Sequence, residues 1–181
     1  MDILPIRKII ENIGSMSGEM PVLKKALSKF KCTRDLDVQN FLNYHAVDYD
    51  INHRTRTYLC FDDGVLVAYY SVAVKNLIIS ESVSKSYHKK LTYGHTKTNY
   101  VPAYLIAQVG KDDDYKRKNV IKEILNFAFQ TIGNAKNEVG GRVIYVECKK
   151  EIERIHVMYL NNGFTYLQDN GDLKQFVFIT N

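Results

Sequence analysis

The sequence predicts an α/β fold built on a mixed sheet flanked by helices. Three observations carry this. Runs rich in β-branched and aromatic residues alternate with stretches of helical periodicity. The second half orders them as strand, helix, strand, helix, strand, strand, which is the pattern of an α/β chain. Short turns of Asp, Asn and Gly also join neighbouring strand-like runs, adding antiparallel hairpins to the strand–helix–strand unit.

At 181 residues, 45% hydrophobic and 25% charged, the chain is sized for a single domain, residues 1–181, with a full core. This excludes a disordered chain and a collagen-like repeat. No apolar run approaches the ~20 residues of a membrane helix. The N-terminal stretch MDILPIRKIIENIG is broken by Pro5, Arg7 and Lys8 and lacks a signal-peptide core, so a cytoplasmic protein with no membrane partner is expected. Cys32, Cys60 and Cys148 are odd in number and form no C-x-x-C, which argues against disulfides and structural zinc. They read as three small buried thiols. The net charge of +5 points weakly to an anionic partner.

Taken in order, Ile3–Ile6 reads as a first strand and Pro21–Lys29 as a short helix or loop. Over residues 34–49, Val38, Phe41, Leu42, His45 and Tyr49 share one helical face, with Thr33 or Asp35 as the cap. His45 therefore reads as a core histidine, and His53 and His88 as surface residues. TRTYLCF and VLVAYYSVAV flank Asp62-Asp63-Gly64, a hairpin signal, and NLIIS follows as a further apolar stretch. Residues 84–99 carry Lys85, Lys89, Lys90, Lys97 and two histidines but no acid, and read as a mobile or helical basic segment.

Pro102 opens AYLIAQVG, apolar enough for burial on both faces. A helix is expected from about Tyr115 to Ile132 on the stripe Ile121, Ile124, Leu125, Ala128 and Ile132. Gly140-Gly141 leads into the strand RVIYVEC. The helix EIERIHVMYLN ends at Asn162-Gly163. Two short strands, Phe164–Leu167 and Lys174–Thr180, close the chain around a turn at Asp169–Asp172.

Several chemistries are absent. The sequence has no G-x-x-x-x-G-K-[ST], G-x-G-x-x-G or G-x-S-x-G motif, and no His/acid spacing suited to a metal. Cys148 and His156 form a nucleophile–base pair only on paper, because Cys148 ends an apolar strand pattern.

Residues 102–166 hold the informative phrases: PAYLIAQVGKDDDYKRKNVIKEILNFAF, GGRVIYVEC and HVMYLNNGF. They resemble the core of the GNAT superfamily of acetyl-CoA-dependent N-acetyltransferases, whose last core helix ends in a phrase like F-Y-x-x-x-G-F. Met158–Phe164 matches it except at the first position. Upstream, FKCTRDLDVQNFLNYHA and RTRTYLCFDDGVLVAYYSV resemble the bacterial toxin-type branch and its relatives, which extends the likeness to about residues 28–179. The resemblance implies the GNAT fold, with a central, mixed, mostly antiparallel sheet.

It also implies roles for particular residues. The family's pyrophosphate pattern Q/R-x-x-G-x-G/A falls on Lys116, Arg117, Lys118, Asn119, Val120 and Ile121. Lys116 is an acceptable replacement, but Asn119 and Ile121 stand where small residues belong and would crowd the phosphates. Lys116, Arg117, Lys118 and Lys122 supply compensating charge. The strand end at Val109, Gly110 and Lys111 would bond the pantetheine arm and polarise the thioester. Gly110 suits a bulge there, or equally a plain turn. Tyr159 matches the tyrosine that protonates the departing thiolate. No general base stands out; Glu147 and His95 have no diagnostic spacing.

The implied reaction moves acetyl from acetyl-CoA, held between the strand ending at Gly110 and the strand ending at Cys148, to a primary amine. In the toxin-type branch that amine is the α-amine of aminoacyl-tRNA. Lys85, Lys89, Lys90 and Lys97 are the candidate acceptor-binding residues, and Tyr69, Tyr70 and Tyr100 the candidates for stacking on RNA, against a core role for strand aromatics. The branch also implies an antitoxin-like protein partner and admits a homodimer. The competing class is a GNAT-fold binding protein with weakened or lost catalysis, favoured by the altered phosphate pattern. A third is a nucleic-acid binder without acyl chemistry, which rests on the basic segment alone.

Overall fold

The computed structural model describes residues 1–13 and 18–180. Its elements are β1 (Asp2–Pro5), α1 (Ile6–Ile13), α2 (Glu19–Leu27), α3 (Leu36–Asn40), α4 (Ala46–Ile51), β2 (Arg56–Asp62), β3 (Val65–Ile78), α5 (Lys85–Leu91), β4 (Tyr100–Lys111), α6 (Val120–Val139), β5 (Val143–Lys149), α7 (Glu153–Asn161), β6 (Thr165–Asn170) and β7 (Leu173–Ile179). The seven strands form one sheet in the order β1-β2-β3-β4-β5-β7-β6. β4 and β5 run parallel through Tyr104–Ile144 and Leu105–Tyr145, while β1–β2, β2–β3, β5–β7 and β6–β7 are antiparallel. The α/β class and the mixed sheet are as expected. The contacts gather into two compact units, Met1–Ala73 with Ala107–Thr131, and Val74–Ile106 with Ile132–Asn181.

The first unit packs Ile6, Leu27, Phe30, Phe41, Leu42, Ala46, Val47, Leu59 and Tyr69 into one core. The first strand stops at Pro5, and Ile6, Ile9, Ile10 and Ile13 then recur at helical spacing along α1, with Ile6 fully buried. The helix expected over 34–49 is three pieces, because a π-helical turn at Phe41–His45 joins α3 to α4. That turn holds an extra residue and rotates the buried face: Asn43, Ala46 and Val47 turn inward, while Tyr44 and His45 face solvent. His45 is therefore not a core histidine.

Asp35 caps α3 as expected, accepting from the backbone N–H groups of Asp37 and Val38 at 3.2 and 3.4 Å. Asp63 and Gly64 both take left-handed φ angles, 49° and 78°, as a two-residue hairpin turn requires. β3 continues unbroken to Ile78, absorbing much of the stretch expected as separate. Asp50 is completely buried, ion-paired with Arg7 at 3.1 Å and Arg56 at 3.2 Å, and accepts the Thr57 N–H at 3.2 Å. Two cations and a backbone donor thus satisfy a group that would otherwise be very costly to bury.

Tyr69 and Tyr70 are adjacent on β3 and point to opposite faces. The Tyr69 hydroxyl donates to the Val38 carbonyl at 2.5 Å, and that of Tyr70 bonds Thr131 Oγ1 of α6 at 2.8 Å. Their exposures of 0% and 1% make them core residues unavailable for stacking on RNA. Cys60 is buried, its thiol pushed up to about 12 chiefly by that burial, but Cys32 is half-exposed, contrary to the reading of three buried thiols.

α6 begins at Val120 rather than near Tyr115, because residues 112–119 are tied into a loop, and it runs on to Val139. Its stripe of Ile124, Leu125, Ala128 and Ile132 is buried as expected, whereas Ile121 is only half-buried.

In the second unit α7 covers the sheet face that carries Phe176 and Phe178. Tyr159 lies 5.4 Å from Phe164 and 6.1 Å from Phe176, and His156 lies 5.6 Å from Phe176. Cys148 is buried, its thiol raised to about 11 by desolvation, and His156 Nε2 is bonded to the Lys149 carbonyl at 2.9 Å. A thiol held protonated by burial and a histidine engaged with backbone do not make a nucleophile–base pair.

Candidate functional site

The cofactor candidates lie together in the first unit. β4 runs through Val109, Gly110 and Lys111 and leads into the loop 112–119. That loop is anchored along its length. The Asp112 N–H donates to the Val67 carbonyl at 2.9 Å, and the Asp112 carboxylate accepts the Lys31 N–H at 2.9 Å. Asp113 accepts from the Thr33 N–H and hydroxyl at 2.8 and 2.6 Å, and these bonds hold its carboxyl below the usual carboxylate range. The Tyr115 hydroxyl donates to Asp62 at 2.5 Å, and Lys111 Nζ bonds the Tyr115 carbonyl. Thr33, expected as a possible helix cap, belongs to this clasp instead.

Gly110 is neither a turn glycine nor spare space. It sits inside β4, where a Cβ would stand 2.5 Å from Tyr69 Cε1 and 2.7 Å from Val38 Cγ1. Absence of a side chain lets the strand pass directly beneath the Tyr69 ring.

Asn119, just before α6, has φ of 61°. This is the left-handed conformation that a glycine adopts freely and that asparagine tolerates best among the other residues. Asn119 therefore takes a backbone path that is also open to glycine. Beyond it the 20-residue helix α6 presents its first free N–H groups and the positive end of its dipole.

The cations of this loop are not equivalent. Lys116 Nζ bonds the Asp113 carbonyl at 2.6 Å, and Arg117 is paired with Glu123 at 3.0 Å. Lys118 and Lys122 are exposed, with no side-chain partner among the described residues. Glu123 escaped the sequence reading; an Arg-x₅-Glu spacing across a helix start is its only signal. It places a carboxylate in the first turn, where it opposes an incoming anion.

The second unit holds Tyr159 and the acceptor candidates. The helix carrying Tyr159 ends in a Schellman cap. Gly163, at φ 86°, donates its N–H to the Leu160 carbonyl at 3.1 Å, and Phe164 donates to the Tyr159 carbonyl at 3.2 Å. The spacing Y-x-x-x-G-F is thus the chemistry of a helix stop: tyrosine three residues before the cap residue, glycine just after it, and phenylalanine folding back onto the tyrosine. Tyr159 is 6% exposed.

The basic segment is helical over α5, capped by Ser84, which accepts the Tyr87 N–H at 3.3 Å. Lys85, Lys89, Lys90 and Lys97 are all exposed. Arg142, which the sequence reading passed over, joins them. Its guanidinium lies 4.5 Å over the Tyr93 ring, it bonds the Lys90 carbonyl, and its N–H meets the Tyr93 hydroxyl at 3.2 Å. Tyr100 and Tyr93 stay half-exposed, at 50% and 49%. Among the described residues there is no cluster of three or more metal-ligating side chains, and no helix long and apolar enough to cross a membrane.

No family model matches the chain, and no curated protein sequence matches it. Solved structures do. AtaT complexed with acetyl-methionyl-tRNAfMet superposes at a TM-score of 0.67 with 20% identity, covering 85% of this chain and 87% of that one. A tyrosine-to-phenylalanine mutant of the AtaT toxin, bound to the C-terminus of the antitoxin AtaR and acetyl-CoA, gives 0.64 at 17% identity, with 85% of each chain covered. A tyrosine-to-phenylalanine mutant of KacT gives 0.64 at 18%, covering 83% of this chain and 86% of that one. At these identities the likeness establishes architecture, and on it the chain has the GNAT fold, in the form seen in the toxins AtaT and KacT.

Proposed function

We propose that residues 1–181 form an acetyl-CoA-dependent N-acetyltransferase whose acceptor is a primary amine, the α-amine of aminoacyl-tRNA. The observation that carries this reading is Asn119 in the left-handed conformation at the head of α6. It keeps the turn that aims backbone N–H groups at a pyrophosphate despite the loss of the glycine. In this reading Val109, Gly110 and Lys111 offer backbone groups to the pantetheine arm. Lys116–Ile121 and Lys122 hold the phosphates, with Lys118 and Lys122 supplying the uncommitted charge.

The acceptor amine, in its neutral form, attacks the thioester carbonyl, the carbon–sulfur bond breaks, and Tyr159 gives its proton to the thiolate; the proton lost by the nitrogen passes to water, from which the Tyr159 phenolate is reprotonated. The exposed lysines 85, 89, 90 and 97, with Arg142, receive the phosphates of the acceptor. The AtaT complexes with acetyl-methionyl-tRNAfMet and with antitoxin and acetyl-CoA support this choice of acceptor and cofactor, and a small antitoxin-like protein as regulator.

A second reading, a GNAT-fold binding protein with weakened catalysis, is favoured by the Arg117–Glu123 pair, which removes one cation from the phosphates and adds a carboxylate beside them. Calorimetric titration with acetyl-CoA separates the two. A dissociation constant between roughly 1 μM and 1 mM, the ordinary substrate range, is expected of the enzyme. No heat and no thermal shift at millimolar acetyl-CoA would establish the second reading.

A further inference from the structure

The helix α5 ends in a Schellman stop, in which the Gly94 N–H donates to the Lys89 carbonyl at 2.8 Å. The residue bent into the left-handed region by this stop is Tyr93, at φ 56°. Glycine is the usual occupant of that position. A Cβ crowds the neighbouring carbonyl there, and an aromatic residue holds the conformation only at a cost. The demands of the backbone therefore do not explain the tyrosine.

What the position provides is a ring held in place. The Arg142 guanidinium covers one face, 4.5 Å from the centroid, and the Tyr93 hydroxyl accepts the Arg142 backbone N–H at 3.2 Å. Arg142 is held in turn: its side chain donates to the Lys90 carbonyl, and its own carbonyl accepts the Thr180 N–H at 2.9 Å. With one face covered, the 49% of Tyr93 that stays exposed lies on its remaining surface.

The ring is set among cations. Lys89 and Lys90 lie in the last turn of α5, Lys85 in its first, and Lys97 shortly after Tyr93. All four lysines are exposed, and neither they nor Arg142 form an ion pair with any described residue. The sequence has no acid from Ser82 to Lys111. Such cations suit a polyanion, and a half-open aromatic ring among them suits a flat group that the polyanion carries. Single-stranded nucleic acid joins the two, with phosphates for the lysines and an unstacked base for the ring. A duplex offers the phosphates but keeps its bases stacked on one another. An acidic peptide would use the lysines and leave the ring without a role.

We propose that Tyr93, backed by Arg142, is a stacking platform for one unpaired base of an RNA whose neighbouring phosphates lie on Lys89 and Lys90. The inference rests on the reading above in taking the polyanion to be RNA. The base is met by its flat face, so the platform separates unpaired from paired RNA rather than one base from another.

The test measures binding of a labelled single-stranded RNA of about 12 nucleotides, and of a blunt duplex of the same sequence, by fluorescence anisotropy over a salt series. Tyr93→Gly puts the usual residue into the helix stop, so the chain stays folded while the ring is removed. It weakens binding of the single strand by about ten-fold or more, the scale of one base–aromatic stack. The slope of log K against log salt stays at its wild-type value, because stacking releases no counterions. Tyr93→Phe loses the hydroxyl's bond to Arg142 but keeps the ring, and it binds the single strand as the wild type does. Duplex binding is the same in all three proteins.

The platform is overturned by a wild-type protein that binds no single-stranded RNA. It is also overturned if Tyr93→Gly binds the single strand like the wild type, or loses single strand and duplex alike. A loss in Tyr93→Phe as large as that in Tyr93→Gly has the same consequence. Polyglutamate that binds with the same dependence on the ring overturns it in favour of a protein partner. Ring-dependent RNA binding without acetyl transfer to aminoacyl-tRNA sinks the enzyme reading and leaves the platform, whereas acetyl transfer without ring-dependent binding sinks the platform alone.

Discussion

The Tyr69 ring occupies the space that a side chain at Gly110 would need, with Cε1 2.5 Å from the position of a Cβ there. Tyr69 cannot retreat, because its hydroxyl is bonded to the Val38 carbonyl and its ring meets Phe30 edge-on at 5.4 Å. Gly110→Ala therefore forces the ring or the strand to move. A loss of about 1–3 kcal/mol is expected, the usual cost of overpacking. It would be read as a fall of several degrees in melting temperature. An unchanged melting temperature would show that Gly110 is free to carry a side chain.

Asn119 makes a conformational prediction. Asn119→Gly should leave stability nearly unchanged, since glycine takes a left-handed φ readily. Asn119→Val should cost about 1–2 kcal/mol or more, because a β-branched residue resists that region. In calorimetry the glycine variant should bind acetyl-CoA at least as tightly as the wild type. Weaker binding would mean that the asparagine side chain itself contributes to the site.

The Thr33–Asp113 clasp sets a pH dependence. The Asp113 carboxyl is held below its ordinary value by the hydroxyl and N–H of Thr33. A depressed carboxylate contributes stability that is present above its unfolded-state pKa and is lost as pH falls through the folded one. Urea unfolding across the acidic carboxylate range should show this loss in the wild type and a smaller loss in Thr33→Val. Identical acid profiles would remove the clasp from the account.

Tyr159→Phe keeps the ring that packs on Phe164 and Phe176. Melting temperature and acetyl-CoA affinity should hold, while kcat falls by roughly 10²–10⁴, the range of a general-acid contribution. Wild-type turnover in this variant would leave Tyr159 as a packing residue.

Changing Lys85, Lys89, Lys90 and Lys97 together to Gln should weaken binding of aminoacyl-tRNA and flatten its salt dependence. The slope of log K against log salt should drop by up to roughly one unit per lost phosphate contact. Acetyl-CoA affinity should not change. An unaltered salt slope would make the segment a solvated surface.

Much of the fold was legible because it depends on local chemistry. The Asp63-Gly64 turn, the α6 stripe from Ile124 onward and the Asn162-Gly163 stop each report on their own neighbourhood, and each stands where its residues indicated. What the tertiary structure alone decided is where local signals are ambiguous or overruled. Helical spacing cannot announce the extra residue of the π turn, which sends His45 to solvent and Asn43 inward. A basic run near a helix start does not say where the helix begins; contacts from Lys31, Thr33 and Asp62, far away in the chain, hold residues 112–115 out of it. The identity of residue 119 suggested a lost glycine, whereas only the fold gives its φ angle, one that glycine also takes readily. The arginine over Tyr93 comes from a segment tens of residues away, and only folding makes the two neighbours.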